Sequence, residues 1–221
     1  MLTRTVRIWD LPVRLTHWGF ALIIPAMWYT GENGEWSWHF RLGLLLLGLL
    51  VFRIIWGFLG TETARFASFV KGPKAVLRYL GGNHEDSVTK GHNPLGALSV
   101  LALLAAMLVQ VGLGLFSGDP YDGATGPLNA LVGVMTADTI TELHEVFFYV
   151  VVALIAVHLA AIAFYTVVKQ QKLVGAMVTG AGEKAPGVPD NTPAPWGRAL
   201  VSMVIALAVV AWVWAGAPPL S

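Results

Sequence analysis

Two histidines, His144 and His158, lie fourteen positions apart in one long apolar stretch. On an α-helix this spacing corresponds to about 21 Å along the axis and about 40° in direction, so one face would present an imidazole near each side of a bilayer roughly 30 Å thick. Ionisable groups inside a membrane are costly and usually mark a functional site. The spacing predicts two stacked metal centres. A pair of haems, each needing a second axial ligand from elsewhere, is the best candidate.

Such histidines need membrane-spanning helices to position them, and the composition predicts these helices. Of the 221 residues, 56% are hydrophobic and 12% charged, and soluble domains carry roughly twice that charged fraction. The chain is therefore expected to be an integral membrane protein. It has no cysteine, which excludes a Cys-ligated iron–sulfur cluster, a covalently attached haem, a thiolate nucleophile and any disulfide.

The pattern of apolar runs predicts the fold. Five spans are expected, at residues 13–29, 39–59, 95–116, 142–168 and 198–215. The fold class is all-α: a transmembrane four-helix bundle with a fifth, C-terminal transmembrane helix that carries no histidine. Residues 1–172 would form the main transmembrane domain, 173–197 a cytoplasmic linker, and 198–221 the extra helix with a short outer tail.

The positions of lysine and arginine predict the orientation. If the five spans alternate in direction, thirteen of the 14 lysines and arginines fall on one side and only Arg41 on the other. Cytoplasmic loops carry the excess of positive charge. The N-terminus is therefore expected in the cytoplasm and the C-terminus in the periplasm. The outer loops carry six carboxylates: Glu32, Glu35, Asp119, Asp122, Asp138 and Glu142.

This topology assigns a depth to four histidines. His17 would lie near the inner surface, at the start of the first span, and His39 near the outer surface, at the start of the second. Depth then pairs His39 with His144 and His17 with His158. Two imidazoles leave an iron with no open position, which suits electron transfer and not oxygen binding. The sequence therefore predicts two haems of b type, each with two histidine ligands.

Two alternatives apply to membrane histidines. A single one can simply form a hydrogen bond between helices. Four histidines at matching depths, two of them on one helical face, are harder to explain in that way. Zinc is the main rival metal, but zinc needs ligands that converge on one point, whereas these are spread across the bilayer.

Haem propionates are anionic, so arginines near the membrane surface are candidate partners. Arg14 precedes His17 by about one turn, and Arg41 follows His39 by two residues. Arg53 is deep enough that it must extend towards the surface or pair with an anion. The alternative for all three is ordinary anchoring of the helix at the membrane surface.

Two further histidines precede the third span. His92 is expected at about the depth of the inner haem and is a candidate for a quinone or proton site. The alternative is that it caps the helix locally. Asn93 and Pro94 are typical of a helix cap and a first helical position. His84, which is followed by two carboxylates, is interpreted as a solvated loop residue.

Several motifs in order now indicate a family: RIWDLPVRLTHW, WHFRLGLLLLGLLVFRIIWGFLG, GHNPLGALSV and LHEVFFYVVVALIAVH. Over residues 6–172 the chain resembles the bacterial di-haem b-type cytochromes, cytochrome b-561 in the broad sense. That family includes the cytochrome b subunit of membrane-bound nickel–iron hydrogenases. The resemblance implies a bacterial inner-membrane protein with a four-helix core around two b haems, and His17, His39, His144 and His158 as ligands.

The resemblance also implies electron exchange between the quinone pool and a partner that is often periplasmic. The acidic outer loops would attract a basic partner such as a c-type cytochrome. Membrane lipid is a further expected partner, and nucleic acid is not. Alternatives are a superoxide:quinone oxidoreductase, which needs more positive charge outside than Arg41 supplies, and the membrane anchor of a hydrogenase-type complex. A haem-free transporter or scaffold would make the histidine pattern a coincidence.

Overall fold

The computed structural model describes residues 4–82, 91–121, 123–184 and 190–218. Most of this part of the chain is helical, so the all-α prediction is confirmed. The helices are α1 (Leu11–Glu32), α2 (Trp36–Leu59), α3 (Phe66–Phe69), α4 (Pro73–Leu80), α5 (Pro94–Phe116), α6 (Val134–Val167), α7 (Leu173–Thr179) and α8 (Trp196–Trp214). Two short strands, β1 (Arg4–Arg7) and β2 (Ala181–Lys184), form an antiparallel pair. His84 and Asp122 lie outside the described residues.

A helix is present at each of the five predicted spans. Within the described residues, α2, α5, α6 and α8 are long and apolar enough to cross a membrane. These four include the predicted extra helix at the C-terminus. α1 has 22 residues, which is long enough at about 1.5 Å per residue, but it is less apolar than the other four. Its crossing of the membrane remains a prediction.

The chain divides into two compact units. The first consists of Met1–Thr16, Arg53–Ala102 and Leu154–Ser202, and the second of His17–Phe52, Leu103–Ala153 and Met203–Ser221. Each unit therefore contains a segment of α1, α2, α5, α6 and α8.

In the first unit, Asp10 determines where α1 begins. The carboxylate Oδ1 accepts a hydrogen bond from the backbone N–H of Val13 (2.8 Å), which is the usual role of an aspartate at a helix N-cap. Its Oδ2 accepts bonds from the indole of Trp56 (3.0 Å) and the hydroxyl of Thr61 (2.5 Å). Asp10 is only 3% exposed. One buried carboxylate thus joins the start of α1 to the end of α2.

The segment predicted as a linker is folded against the N-terminal residues of the same unit. β2 pairs with β1, with Arg7 opposite Ala181. Asn191 is buried and its amide group donates to the carbonyl of Ile8 (3.1 Å) and to the hydroxyl of Thr63 (2.7 Å). The sequence did not indicate these contacts because the strands have four residues each and Asn191 lies in a proline-rich stretch.

In the second unit, glycines allow neighbouring helices to approach closely. An ideal Cβ at Gly19 of α1 would lie 2.7 Å from a methyl carbon of Leu49 of α2. One at Gly48 of α2 would lie 3.3 Å from a methyl carbon of Val210 of α8. Close packing therefore explains both glycines, and it places α8 against α2 in this unit.

Candidate metal centre

His39 of α2 and His144 of α6 face each other in the second unit. Their ring centroids are 6.2 Å apart and their planes are inclined by 86°. Two imidazoles on one iron, each with a metal–nitrogen bond of about 2.0 Å, would hold their centroids about 6 Å apart. The two rings therefore have the spacing that a shared iron requires.

The tautomer of His39 follows from its backbone contact. Its Nδ1 lies 2.9 Å from the carbonyl oxygen of Met27 on α1. A carbonyl can only accept, so Nδ1 must carry the proton and donate it. The hydroxyl of Thr30 lies 3.3 Å from the same nitrogen. This arrangement leaves the lone pair on Nε2, as a metal-binding histidine needs.

His144 is held in the same way by α5. Its Nδ1 donates to the carbonyl oxygen of Gln110 at 3.0 Å, which again leaves the lone pair on Nε2. The side-chain amide nitrogen of Gln110 lies 3.0 Å from the His144 carbonyl and 3.3 Å from Nε2. The amide oxygen of Gln110 is buried and has no hydrogen-bond partner within the described residues. Both outer histidines are thus oriented so that the neutral ring carries its lone pair on Nε2.

Two glycines make room for these rings. An ideal Cβ at Gly114 of α5 would lie 2.9 Å from Cε1 of His144, and one at Gly31 of α1 would lie 3.3 Å from Cε1 of His39. A side chain at either position would press on an imidazole. The absence of a side chain is therefore part of the site.

The two inner histidines belong to different units. His158 lies in the first unit, where its Nδ1 is 3.4 Å from the hydroxyl of Ser99 on α5. His17 lies in the second unit, with its ring edge-on to Trp18 at 5.2 Å between centroids. Their pairing around a second iron remains a prediction.

The three arginines predicted to bind propionates have different surroundings. In the first unit, Arg14 donates to the carbonyls of Met177 and Val178, where the end of α7 favours positive charge. In the second unit, the guanidinium of Arg41 lies 5.6 Å from the ring centroid of Trp38. Contact of Arg14 and Arg41 with haem propionates remains a prediction.

Arg53 of α2 is 6% exposed. Its guanidinium lies 5.3 Å from the ring centroid of Phe66 and 3.5 Å from the carbonyl of Ala64. The carboxylate of Asp10 is its electrostatic partner. Arg53 is thus buried within the first unit, and its contact with a haem propionate remains a prediction.

His92 lies between two aromatic rings of the first unit. Its ring centroid is 4.7 Å from that of Trp9 and 4.4 Å from that of Phe69. Burial, and to a smaller extent the positive charge of Arg53, lower the pKa of His92 to about 3. The cap of α5 is formed by Asn93, whose side-chain oxygen accepts from the N–H of Gly96 (2.7 Å). The capping prediction for Asn93 is confirmed, and His92 does not provide that cap.

A neutral buried histidine should make stability depend on pH. Below the ordinary pKa of 6.5 the unfolded chain binds a proton that the folded chain does not. Stability is therefore complete above pH 6.5 and falls as the pH is lowered towards 3. The loss at pH 5 should be about 2 kcal/mol. Thermal unfolding of purified wild type and His92→Asn between pH 7.5 and 5 measures this loss of stability, and the variant should lose less than wild type. Parallel pH profiles of the two melting temperatures would contradict the role of His92.

Several residues of the site were not predicted from the sequence. Thr30, Ser99 and Gln110 contact the histidine rings through hydrogen bonds. One signal was available for Gln110, which is the most polar residue in an otherwise apolar span. The acceptors at Met27 and Gln110 are main-chain carbonyls, which no side-chain pattern reveals.

Histidines that face one another from neighbouring membrane helices are typical of membrane-bound b-type cytochromes. Comparison with known families agrees: residues 8–180 match the family described as prokaryotic cytochrome b561, and the chain belongs to this family. The protein is therefore a membrane-embedded b-type cytochrome of electron transport. The match ends before β2 and α8, in accord with the expectation that the C-terminal helix lies outside the shared core.

A relative from Bradyrhizobium diazoefficiens is 24% identical over 210 residues, which cover 80% of this chain and 85% of that protein. It is described as a probable Ni/Fe-hydrogenase B-type cytochrome subunit. No solved structure matches the chain.

Proposed function

We propose that this cytochrome transfers electrons across the bacterial inner membrane, between the quinone pool and a periplasmic redox protein. Two b haems would carry the electrons, one bound by His39 and His144 and the other by His17 and His158. The observation that supports this most is the outer pair, with ring centroids 6.2 Å apart and both Nδ1 atoms engaged by carbonyls. Each haem iron, when bound, supplies a one-electron couple.

The protein's own contribution is to orient the ligands so that each neutral ring carries its lone pair on Nε2. A neutral imidazole can coordinate iron, whereas an imidazolium cannot. Met27 and Gln110 accept the Nδ1 protons through their carbonyls, so neither outer ring can turn without losing a hydrogen bond. Rigid ligands favour electron transfer because little rearrangement accompanies the change of charge.

We place the quinone beside the inner haem, with His92 as the candidate contact. A buried neutral imidazole can donate a hydrogen bond to a quinone oxygen or accept one from a quinol. The excess of lysine and arginine in the loops around this region puts it on the cytoplasmic side.

The periplasmic partner is proposed from charge. Glu32, Glu35 and Glu142 are exposed in the second unit, on the side to which the orientation rule assigns the periplasm. A basic c-type cytochrome would be steered towards these carboxylates. A redox enzyme of the hydrogenase type is the second candidate partner, favoured by the description of the relative.

Haem content and reduced-minus-oxidised visible spectra test the proposal. Purified wild type should contain about two b haems per chain, and His144→Ala and His158→Ala should each lose about one. The matched control is His92→Asn, which removes an imidazole that is not a proposed ligand and should retain both haems. Retention of two haems by His144→Ala or His158→Ala would disprove the ligand assignment.

A further inference from the structure

Helix α4 presents three different faces. Ala75 is buried and the hydroxyl of Tyr79 lies 2.7 Å from that of Tyr165 on α6, so this face packs on the first unit. Leu77 and Leu80 are 68% and 63% exposed. At about 100° per residue the two leucines point away from the packed face, and the basic residues lie on the third side.

A groove of about 320 Å³ lies between α4 and the first turns of α5. It is lined by Lys71, Pro73, Val76, Leu77 and Leu98. Its wall is apolar except for Lys71. An apolar groove with one cation at its wall fits a ligand that has a hydrocarbon chain and an anionic head.

The segment that supplies most of the groove's lining is basic. Residues 63–82 contain four cations and no carboxylate. The four are Arg65, Lys71, Lys74 and Arg78. A helix with an exposed apolar side and a basic side lies in the headgroup layer of a membrane, and clustered lysine and arginine at that depth attract anionic lipids.

We propose that this groove is a binding site for an anionic phospholipid of the cytoplasmic leaflet. One acyl chain would lie along Val76, Leu77 and Leu98, and Lys71 would bind the phosphate, with Lys74 adding to the attraction. The lipid would cover leucines that the protein leaves exposed. This site is separate from the histidine pairs and does not depend on the proposed electron transfer.

Native mass spectrometry of the full haem-loaded chain tests the site. The protein is delipidated in detergent and mixed with equal amounts of phosphatidylglycerol and phosphatidylcholine, and the retained lipid is counted. Wild type should retain phosphatidylglycerol preferentially. Lys71→Glu/Lys74→Glu should reduce that preference by at least about fivefold for each cation lost, with the haem spectrum unchanged. Lys169→Glu makes the same kind of charge change at a residue that does not line the groove and should keep the preference.

A separate variant tests the apolar part of the site. Leu98→Trp would fill the groove and should lower retention of both phospholipids without changing the haem spectrum. Equal retention of the two lipids by wild type would overturn the proposal. So would an equal loss in Lys169→Glu, or displacement of phosphatidylglycerol by ubiquinone at equal concentration, which would make the groove a quinone site.

Discussion

Gly114→Ala is expected to lose the outer haem while the chain still folds and keeps the inner one. The added Cβ would lie 2.9 Å from Cε1 of His144 and 3.3 Å from Nδ1. Atoms that close must separate, and the ring can move only by breaking the hydrogen bond from Nδ1 to the carbonyl of Gln110. Overpacking of this kind costs about 1–3 kcal/mol, which corresponds to a fall in haem affinity of roughly five- to 150-fold.

The matched control is Gly112→Ala on the same helix. An ideal Cβ at Gly112 meets nothing within 4 Å, because two residues along a helix turn the side chain about 200° away. Haem per chain, measured by the pyridine haemochrome spectrum, should be about one for Gly114→Ala and about two for Gly112→Ala. Two haems with a wild-type spectrum in Gly114→Ala would show that His144 does not need this space.

The second large effect is expected for Asp10→Ala. The substitution removes the cap of α1 and the acceptor for Trp56 and Thr61. It also removes a negative charge that acts on the buried guanidinium of Arg53. A buried donor left without its acceptor costs about 1–3 kcal/mol, and loss of the helix cap costs about 1 kcal/mol more. We expect a marked fall in the melting temperature and in the yield of folded protein.

Asp10→Asn separates the helix cap from the other contributions. An asparagine retains the capping oxygen, but it has no charge and places an NH2 group where Oδ2 accepts from Trp56 and Thr61. The stability of Asp10→Asn should therefore lie between those of wild type and Asp10→Ala. Glu183→Ala serves as the control, since Glu183 forms an exposed ion pair with Lys172 (3.1 Å) and such pairs contribute at most about 1 kcal/mol. If Asp10→Ala melted no lower than Glu183→Ala, the buried carboxylate would have no such structural role.

The sequence predicted the helices and the outer histidine pair for simple physical reasons. A bilayer demands long apolar helices, and the distribution of lysine and arginine orients them. Together these constraints predict matching depths for His39 and His144, whose ring centroids lie 6.2 Å apart in the structure. No detailed knowledge of side-chain packing was needed for that step.

What sequence reasoning missed depends on contacts between residues that are distant in the chain. Asn191 donates to Ile8 across 183 positions, and Asp10 accepts from Trp56 across 46. Neither contact produces a periodic pattern in the sequence. Arg14 donates to carbonyls near the end of α7, a helix that the sequence did not predict.

The outer histidines donate their Nδ1 protons to main-chain carbonyls, and this has an evolutionary consequence. Every residue type supplies a carbonyl, so positions 27 and 110 can change identity without removing the acceptor. The orientation of both ligands can therefore survive extensive mutational drift as long as the helices stay in place. Distant homologues could keep the same redox centre while an alignment of their side chains shows little besides the histidines and a few glycines.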